Sequence, residues 1–299
     1  MQNRLETGFR TRPSFRKTKR KPPVTIIIGI ICKQTIVVAS DSQTTFSSST
    51  GAIQRLDTPK ISTLEFNNAQ ALVAQSGDVT LSSRAVEILT DMIKGKSISD
   101  YRTVADMAQD AIRKVKEELR VQNLDCTMEQ LHEYIRQNEL HFELMIAHYH
   151  DGKPYIFTID FDIGIAAKSS HSFIAIGCGS GIATYILSWF NIGQTMNFSH
   201  AMIAALYAIE EVKKVDPYCG GKTRLAMLAS GGIKMADGSK TPSETLQMML
   251  ESDYEDSYIH ALEKINKKAK SEWAAKMNEV ILEGNKLMLE ASNKLKTKS

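Results

Sequence analysis

Hydrophobic residues occur along the first part of the chain in short β-branched runs, and these predict strands. Residues 25–32 and 35–40 flank a polar pair at 33–34 and predict a hairpin in which both strands are largely buried. The segments KISTLE and AQALVAQSG, separated by residues 67–68, predict a second hairpin, and FSSSTGAIQRLDTP before them predicts a polar loop. We therefore expect four strands before the first helix.

Two amphipathic helices are predicted after residue 77. The first carries apolar residues at positions 81, 85, 89 and 92, behind an N-cap at Asp78 or Thr80. The second carries an apolar stripe over residues 104–119, with charged residues mostly off it. Packing against a core explains both stripes.

The middle of the chain repeats this alternation of strands and helices. Residues 122–140 read as an insertion with a short helix, and HFELMIAHYHDGKPYIFTIDF predicts two strands around Asp151-Gly152. HSFIAIG predicts another strand, GIATYILSWF and a Ser199-capped segment predict two helices, and TRLAMLAS and SGGIKM predict two final strands. This order indicates two sheets packed face to face with helices outside, in one domain.

The charge distribution and the positions of prolines separate two flanking segments from this domain. Residues 1–24 hold eight lysines and arginines against one glutamate, so the rest of a chain whose net charge is +3 is slightly acidic, and Pro22-Pro23 marks the end of this basic segment. A propeptide or disordered head fits this composition; an organelle presequence, a nucleic-acid contact and a nuclear address are the alternatives. Residues 241–299 predict charged amphipathic helices, a C-terminal appendage to a domain at 25–240.

The four cysteines are widely spaced, and they form no CxxC pair and have no histidine at metal-ligand spacing. We therefore expect free thiols in a reducing compartment, a cytoplasmic location, and neither a metal nor a cofactor. No apolar run reaches the roughly 18 residues of a membrane span, so we expect a soluble protein without a membrane partner. No nucleic-acid partner is expected either, because no aromatic residues interleave the basic head.

A glycine-rich segment, FIAIGCGSGIATYIL, offers a strand, a turn and a helix in the order that binds nucleotides or methyl-donor cofactors. It resembles the first motif of methyltransferases, but Ala175 stands where they carry an acid, and Ile182 breaks the dinucleotide spacing. Glycines that allow a tight turn beside a helix are the other interpretation.

Thr25 begins the first β-branched run, and a cut before it would place a hydroxyl and a free α-amine on one residue. An α-amine with an ordinary pKa of about 7.7–8.0 can serve as the general base for its own hydroxyl. The predicted hairpin would return Asp41 towards Thr25, and Lys60 at the head of the third strand could supply a cation.

Five motifs in order resemble the β-type subunits of the 20S proteasome: the run from Thr25 through GIICKQTIVVASDSQTT, then PKI, SGD, GCGSG and DPYCGG. The resemblance extends from Thr25 to about Ser230 and implies an α+β fold, the four-layer αββα sandwich of the N-terminal nucleophile (Ntn) hydrolases. DSQTT also looks like the corresponding run of the bacterial two-ring relative of the proteasome.

The resemblance implies a role for each matching residue. Thr25 would be the nucleophile, Asp41 its acid and Lys60 the cation paired with that acid, while Asp216, Cys219 and Cys178 would support the threonine amine. Backbone groups of Thr45 and Ala74 would bind the substrate, with the Ala74 N–H in the oxyanion hole. Two cysteines stand where the family has serines, and Val24 stands where its propeptides usually end in glycine.

We therefore expect a threonine endopeptidase acting on peptides or unfolded polypeptides, in homo- or hetero-oligomeric rings whose active sites face an inner chamber. An ATPase unfoldase is a candidate partner. The alternative is an unprocessed, inactive structural ring subunit that keeps residues 1–24. A small-molecule amidase on the same fold is a third class, which would need a closed pocket in place of an open groove.

Overall fold

The computed structural model describes residues 25–33, 35–47, 53–123, 126–190, 192–193 and 195–236, all of which belong to one compact unit within residues 1–237. The predicted head at 1–24 and the predicted helical appendage at 241–299 lie outside the described residues. None of the helices in the described part of the chain is long and apolar enough to cross a membrane.

Twelve strands and five helices follow one another in the described residues. The strands are β1 Ile27–Cys32, β2 Thr35–Ser40, β3 Gln43–Ser47, β4 Ile53–Asp57, β5 Ile61–Glu65, β6 Gln70–Gly77, β7 Phe142–His150, β8 Lys153–Asp160, β9 Ala166–Lys168, β10 Phe173–Ile176, β11 Arg224–Ala229 and β12 Gly232–Ala236. The helices are α1 Val79–Ile93, α2 Thr103–Asn123, α3 Met128–Gln137, α4 Ser180–Ser188 and α5 Phe198–Val215.

The first sheet has the order β10-β1-β2-β11-β12, and all its neighbouring strands are antiparallel. β1 and β2 form the predicted hairpin, with Ile27 opposite Ser40 and Cys32 opposite Thr35. Every residue of both strands is buried. Burial on both faces explains why the run is apolar throughout, where a half-exposed strand would alternate.

The second sheet has the order β5-β6-β7-β8-β9 and is also antiparallel. Its inner face packs on the first sheet through a core that includes Ile27, Ile31 and Val38 from one side and Leu72, Met145 and Ile156 from the other. The sheets approach closely at Gly29, where an added Cβ would lie 2.7 Å from the Met145 sulfur.

Helices cover both outer faces. α4 and α5 contact β1, with α4 also on β10 and α5 on β2, whereas α1 and α2 pack on β7 of the second sheet. A second core, built around Leu89, Ala108 and Phe157, fills the space between that sheet and its helices. The resulting helix, sheet, sheet, helix order is the predicted four-layer αββα sandwich of the α+β class, and this prediction is confirmed.

The structure differs from the sequence prediction in its smaller elements. Six strands, not four, precede the first helix, because the predicted polar loop contains most of a hairpin of β3 and β4. This hairpin forms a sheet of its own, and residues 55–57 of β4 are exposed, so it lacks the apolar pattern that marks a buried strand. β9 has three residues, and the sequence did not predict it.

The helix caps differ in part from the prediction. Asp78, one of the two residues predicted to cap α1, accepts hydrogen bonds from the backbone N–H groups of its first turn. The residue that caps α5 is Asn197, where Ser199 was predicted.

Candidate active site

A buried ion pair lies where β2 ends and β5 begins. Lys60 Nζ is 2.6 Å from Asp41 Oδ1, and the two side chains are 5% and 0% exposed. The hairpin brings Asp41 back beside Ile26, whose O accepts from the Asp41 N–H at 3.1 Å. The structure thus brings together the predicted acid and the predicted cation next to the predicted nucleophile.

Two backbone donors fix the Asp41 carboxylate in addition to the lysine. Ile26 N–H donates to Oδ1 at 3.0 Å, and Gly220 N–H donates to Oδ2 at 3.0 Å. The Gly220 carbonyl in turn accepts from Ser42 N and Gln43 N at 3.3 and 3.0 Å. Burial lowers the pKa of Lys60 from its ordinary value, and the negative charge of Asp41 opposes that shift.

Thr25 lies two residues before the start of β1 and is 3% exposed. Its backbone N–H donates to Cys178 Sγ at 3.3 Å, and its carbonyl accepts from the Cys178 thiol and from Gly179 N–H, both at 3.3 Å. Gly177 lies against the same carbonyl: its φ is +93°, and an added Cβ would be only 2.3 Å from Thr25 O. A residue with a side chain would therefore displace Thr25.

Cys178, Asp216 and Cys219 form a second cluster beside Thr25. The sulfurs of Cys178 and Cys219 are 3.6 Å apart, and the Cys219 thiol donates to Asp216 Oδ2 at 3.7 Å. The contact with Cys219 lowers the pKa of the Cys178 thiol, and the same contact, together with burial, raises the pKa of Cys219. A single thiolate in this pair therefore forms first at Cys178.

The glycine-rich turn before α4 is filled by protein atoms. A Cβ added to Gly179 would lie 2.6 Å from Val212 and 3.1 Å from the Cys219 sulfur. Close packing of this turn against Thr25 and α5 therefore accounts for Gly177 and Gly179, and the cofactor interpretation is not needed to explain them.

The two predicted substrate-binding positions lie on different strands. Thr45 lies in β3, opposite Arg55 of β4. Ala74 lies within β6, opposite Ile61 of β5 and Met145 of β7. Gln75 N–H donates to Lys60 O at 2.9 Å, and antiparallel ladders alternate, so the Ala74 N–H points towards β7. This geometry does not support the predicted oxyanion-hole role of Ala74.

Glu143 is a site neighbour that was not predicted from the sequence. It is half-buried in β7, and Gly177 N–H donates to its Oε2 at 3.4 Å. Burial raises the pKa of this carboxyl. An acid within a mostly buried strand gives no sequence signal of its own, and only the packing of the two sheets brings it to the turn that contacts Thr25.

Residues 96–228 match the family model described as proteasome subunit. This range includes the cluster of Cys178, Asp216 and Cys219, and it begins after Thr25, Asp41 and Lys60. No curated protein sequence matches the chain significantly.

Solved structures of proteasome-like proteins resemble the whole described domain. Anbu (ancestral beta-subunit) from Yersinia bercovieri is 13% identical, with a TM-score of 0.58, over 84% of this chain and 97% of that one. The helical assembly of the Anbu complex from Pseudomonas aeruginosa gives 14% identity and a TM-score of 0.59, over 78% and 100%. At this identity the likeness concerns the fold. The predicted resemblance is thereby confirmed: the chain has a proteasome-like fold, and residues 96–228 match the proteasome subunit family.

Proposed function

We propose that this protein is an N-terminal threonine peptidase whose nucleophile is Thr25, released by removal of residues 1–24. The observation that carries the proposal is the buried pair of Asp41 and Lys60, which lies beside Thr25 with its carboxylate bonded to the next residue, Ile26. A buried charge pair is costly to desolvate, so a pair in this position is better explained by chemistry than by stability.

In the proposed reaction, the Thr25 α-amine accepts the proton of the Thr25 hydroxyl as the oxygen bonds to the carbonyl carbon of a peptide. The positive charge of Lys60 lowers the free energy of the developing negative charge on that oxygen. The proton then passes to the leaving amine as the peptide bond breaks, and an ester to Thr25 remains. Water hydrolyses this ester and regenerates the hydroxyl.

The cluster of Cys178, Asp216 and Cys219 would orient the amine in this reaction. Cys178 Sγ already accepts a hydrogen bond from Thr25 N, and Asp216 accepts one from Cys219, so the cluster continues from the nitrogen to a carboxylate. Thiols are weaker donors and acceptors than the serine hydroxyls of the family. Proton transfer to and from the amine is the step that this difference would slow.

Substrates would be peptides or unfolded polypeptides that lie extended beside β3, with backbone groups at Thr45 pairing with them as an added strand. We further propose that the chain works in a ring or a related oligomer, fed by an ATPase unfoldase. The similar Anbu complex from Pseudomonas aeruginosa forms a helical assembly, which supports an oligomer of this general kind.

The intact mass and N-terminal sequence of the purified protein test the proposal first. A chain that begins at Thr25 and hydrolyses an unfolded polypeptide agrees with it. In Thr25→Ala, hydrolysis should then fall to background, because no hydroxyl remains. The matched control is Thr63→Ala, which removes a half-buried threonine of β5 away from the site and should keep activity. Equal activity in Thr25→Ala and the parent would overturn the proposal.

The second candidate is an unprocessed structural subunit of a proteasome-like assembly. Two observations favour it: Val24, a stiff β-branched residue, precedes the cleavage point, and the Thr25 N–H is already engaged by Cys178. A mature chain that still begins at Met1, assembles, and hydrolyses nothing would support this candidate. Such a chain would have no threonine amine, and so no general base for the reaction proposed above.

A further inference from the structure

Three elements bring metal-ligating atoms together beside Thr25. Cys178 comes from the turn before α4, Asp216 is the residue after the last turn of α5, and Cys219 follows in the next loop. Their ligand atoms all lie within 4.8 Å of one another. The two cysteines are 41 residues apart, so their spacing carries no metal-binding signature.

Two of the three ligand-atom separations in this cluster match the edges of a tetrahedral zinc site, and the third, between Cys178 and Asp216, is at most 4.8 Å. With Zn–S bonds of about 2.3 Å and Zn–O bonds of about 2.0–2.2 Å, a regular tetrahedron has S···S edges of about 3.8 Å and S···O edges of about 3.6 Å. The observed separations are 3.6 Å between the sulfurs and 3.7 Å from Cys219 Sγ to Asp216 Oδ2. A disulfide, by contrast, would require the sulfurs to approach to about 2.05 Å.

Backbone hydrogen bonds hold the ligands in place before any metal arrives. Tyr218 N–H donates to Asp216 Oδ1 at 2.9 Å, and Cys219 N–H donates to the Asp216 carbonyl at 3.1 Å. The first of these bonds occupies one carboxylate oxygen and leaves the other directed at Cys219. Supporting bonds of this kind orient the ligands of natural metal sites and contribute to their affinity.

From this geometry we propose that Cys178, Cys219 and Asp216 form a zinc-binding site. Two thiolates and a carboxylate suit zinc and disfavour magnesium and calcium, which prefer oxygen ligands alone. On binding, the two thiol protons pass to solvent and Zn–S bonds replace them. Water takes the fourth position in the uncleaved chain, where Thr25 N is an amide.

Zinc bound at this site would inhibit hydrolysis, and this part of the inference alone rests on the function proposed above. Thr25 N is 3.3 Å from Cys178 Sγ, close to the N···S edge of about 3.5 Å in a tetrahedral site. In a chain that begins at Thr25, the free amine would take the fourth position on zinc. An amine bound to zinc cannot accept the hydroxyl proton, so zinc would inhibit the peptidase reversibly.

Titration of the full-length chain with cobalt(II) and then zinc tests the site without any peptide substrate. The titration is run under a phosphine reductant, and a thiol reagent counts the accessible cysteines at each step. We expect one equivalent of cobalt to give thiolate-to-metal absorption and a tetrahedral visible band, both removed when zinc displaces the cobalt. Zinc should also protect Cys178 from the thiol reagent, since this cysteine is solvent-accessible.

Substitution of each proposed ligand tests whether the metal binds at this site. Cys178→Ser, Cys219→Ser and Asp216→Asn should each weaken zinc binding at least roughly tenfold. The matched control is Cys32→Ser, which removes a buried thiol that donates to Thr35 O, a bond that a serine hydroxyl can keep; its affinity should equal that of the parent. Circular dichroism of each variant checks that the fold is retained.

Binding that is unchanged in Cys178→Ser and Cys219→Ser would overturn the proposal, as would the absence of thiolate-to-metal absorption in the parent chain. Neither result would bear on hydrolysis by Thr25, which is measured separately in the presence of a chelator. Conversely, an inactive Thr25 would leave the zinc titration fully interpretable.

Discussion

Two clusters beside Thr25 differ in their chemistry: the pair of Asp41 and Lys60, which we call the charged side of the site, and the cluster of Cys178, Asp216 and Cys219, which we call the sulfur side. On the charged side, Asp41 and Lys60 form an ion pair that is almost completely buried and only 2.6 Å long, and two backbone N–H groups also donate to the carboxylate. On the other side, Cys178 and Cys219 make sulfur contacts of 3.3–3.7 Å, and their pKa values are moved apart by their mutual contact.

This contrast indicates a division of tasks. A short, buried ion pair has one low-energy arrangement and loses much of its stabilisation when either partner is removed. Sulfur is larger, more polarisable and a weaker hydrogen-bonding partner, so the second side can exchange protons or ligands with less disturbance to the fold. We therefore expect substitutions on the charged side to affect stability much more than substitutions on the sulfur side.

Lys60→Met should have the largest effect. It leaves the Asp41 carboxylate buried without its cation, which typically costs about 3–5 kcal/mol of unfolding free energy. Urea denaturation measures this loss, and hydrolysis by the variant should fall with it. The matched control is Lys94→Met: Lys94 also lies 2.6 Å from its acid, Asp91, but both side chains are exposed and solvent screens the pair, so the loss of stability should be much smaller. Equal losses in the two variants would contradict the contrast.

Gly177→Ala should come next. The new methyl group would lie 2.3 Å from Thr25 O, at a φ of +93° that alanine rarely adopts. We expect a loss of about 1–3 kcal/mol from the backbone strain and weaker hydrolysis, because Thr25 must move. In Gly181→Ala, the control on α4, the methyl group meets nothing within 4 Å, so stability should be unchanged or rise by up to about 1 kcal/mol. A Gly177→Ala variant as stable as Gly181→Ala would show that Thr25 is not held by this contact.

A buried histidine of the second sheet, His148, gives the stability of the protein a pH dependence that does not come from the two clusters beside Thr25. His148 is fully buried, its Nε2 lies 2.9 Å from Tyr101 O, and burial lowers its pKa below the usual 6.5. Between the lowered pKa and 6.5 the unfolded chain binds more protons, so stability falls as the pH falls below about 6.5, by at most about 1.4 kcal/mol per pH unit.

His148→Gln should remove this part of the acid sensitivity. Its unfolding free energy, measured from pH 7 to pH 5, should fall less steeply than that of the parent, although the variant starts from a lower stability. If both proteins lose stability in parallel over this range, His148 is not the group responsible, and titration near Thr25 becomes the better explanation.

Cys219→Ser should have the smallest effect when a chelator keeps metal away. Serine keeps a small side chain that can donate to Asp216 and accept from Cys178, so we expect a change of less than about 1 kcal/mol in either direction. Chemical denaturation beside Lys60→Met gives the comparison directly. A loss as large as that of Lys60→Met would mean that the sulfur side is as rigid as the charged side.

The sequence predicts the layers of this fold better than its edges. Strands β1 and β2 are buried on both faces, and α1 and α2 bury one stripe each, so hydrophobic pattern alone identifies all four. The hairpin of β3 and β4 is exposed along residues 55–57, and its stability comes from backbone pairing, which has no side-chain signature.

The candidate site also has local features that the sequence predicts and others that depend on how distant elements pack. Asp41 could be placed near Thr25 because one hairpin connects them, and this local prediction agrees with the observed Asp41–Ile26 bonds. The contact between Cys178 and Cys219 depends on how α4 and α5 pack, so the residues alone gave no reason to pair them, and only the family resemblance put them together. The direction of the Ala74 N–H depends on the register of three strands, which a motif match does not specify.

One loop contact links the two sides. Gly220 donates to Asp41 on the charged side, and it directly follows Cys219 on the sulfur side. Its carbonyl also accepts from Ser42 and Gln43, so the peptide units of this loop are tied to the end of β2. Whatever changes the position of Cys219, a proton or a metal ion, therefore alters the free energy of the Asp41 contacts. By thermodynamic reciprocity, a ligand that binds at the charged side must change the affinity of the sulfur side for that proton or metal ion by the same factor.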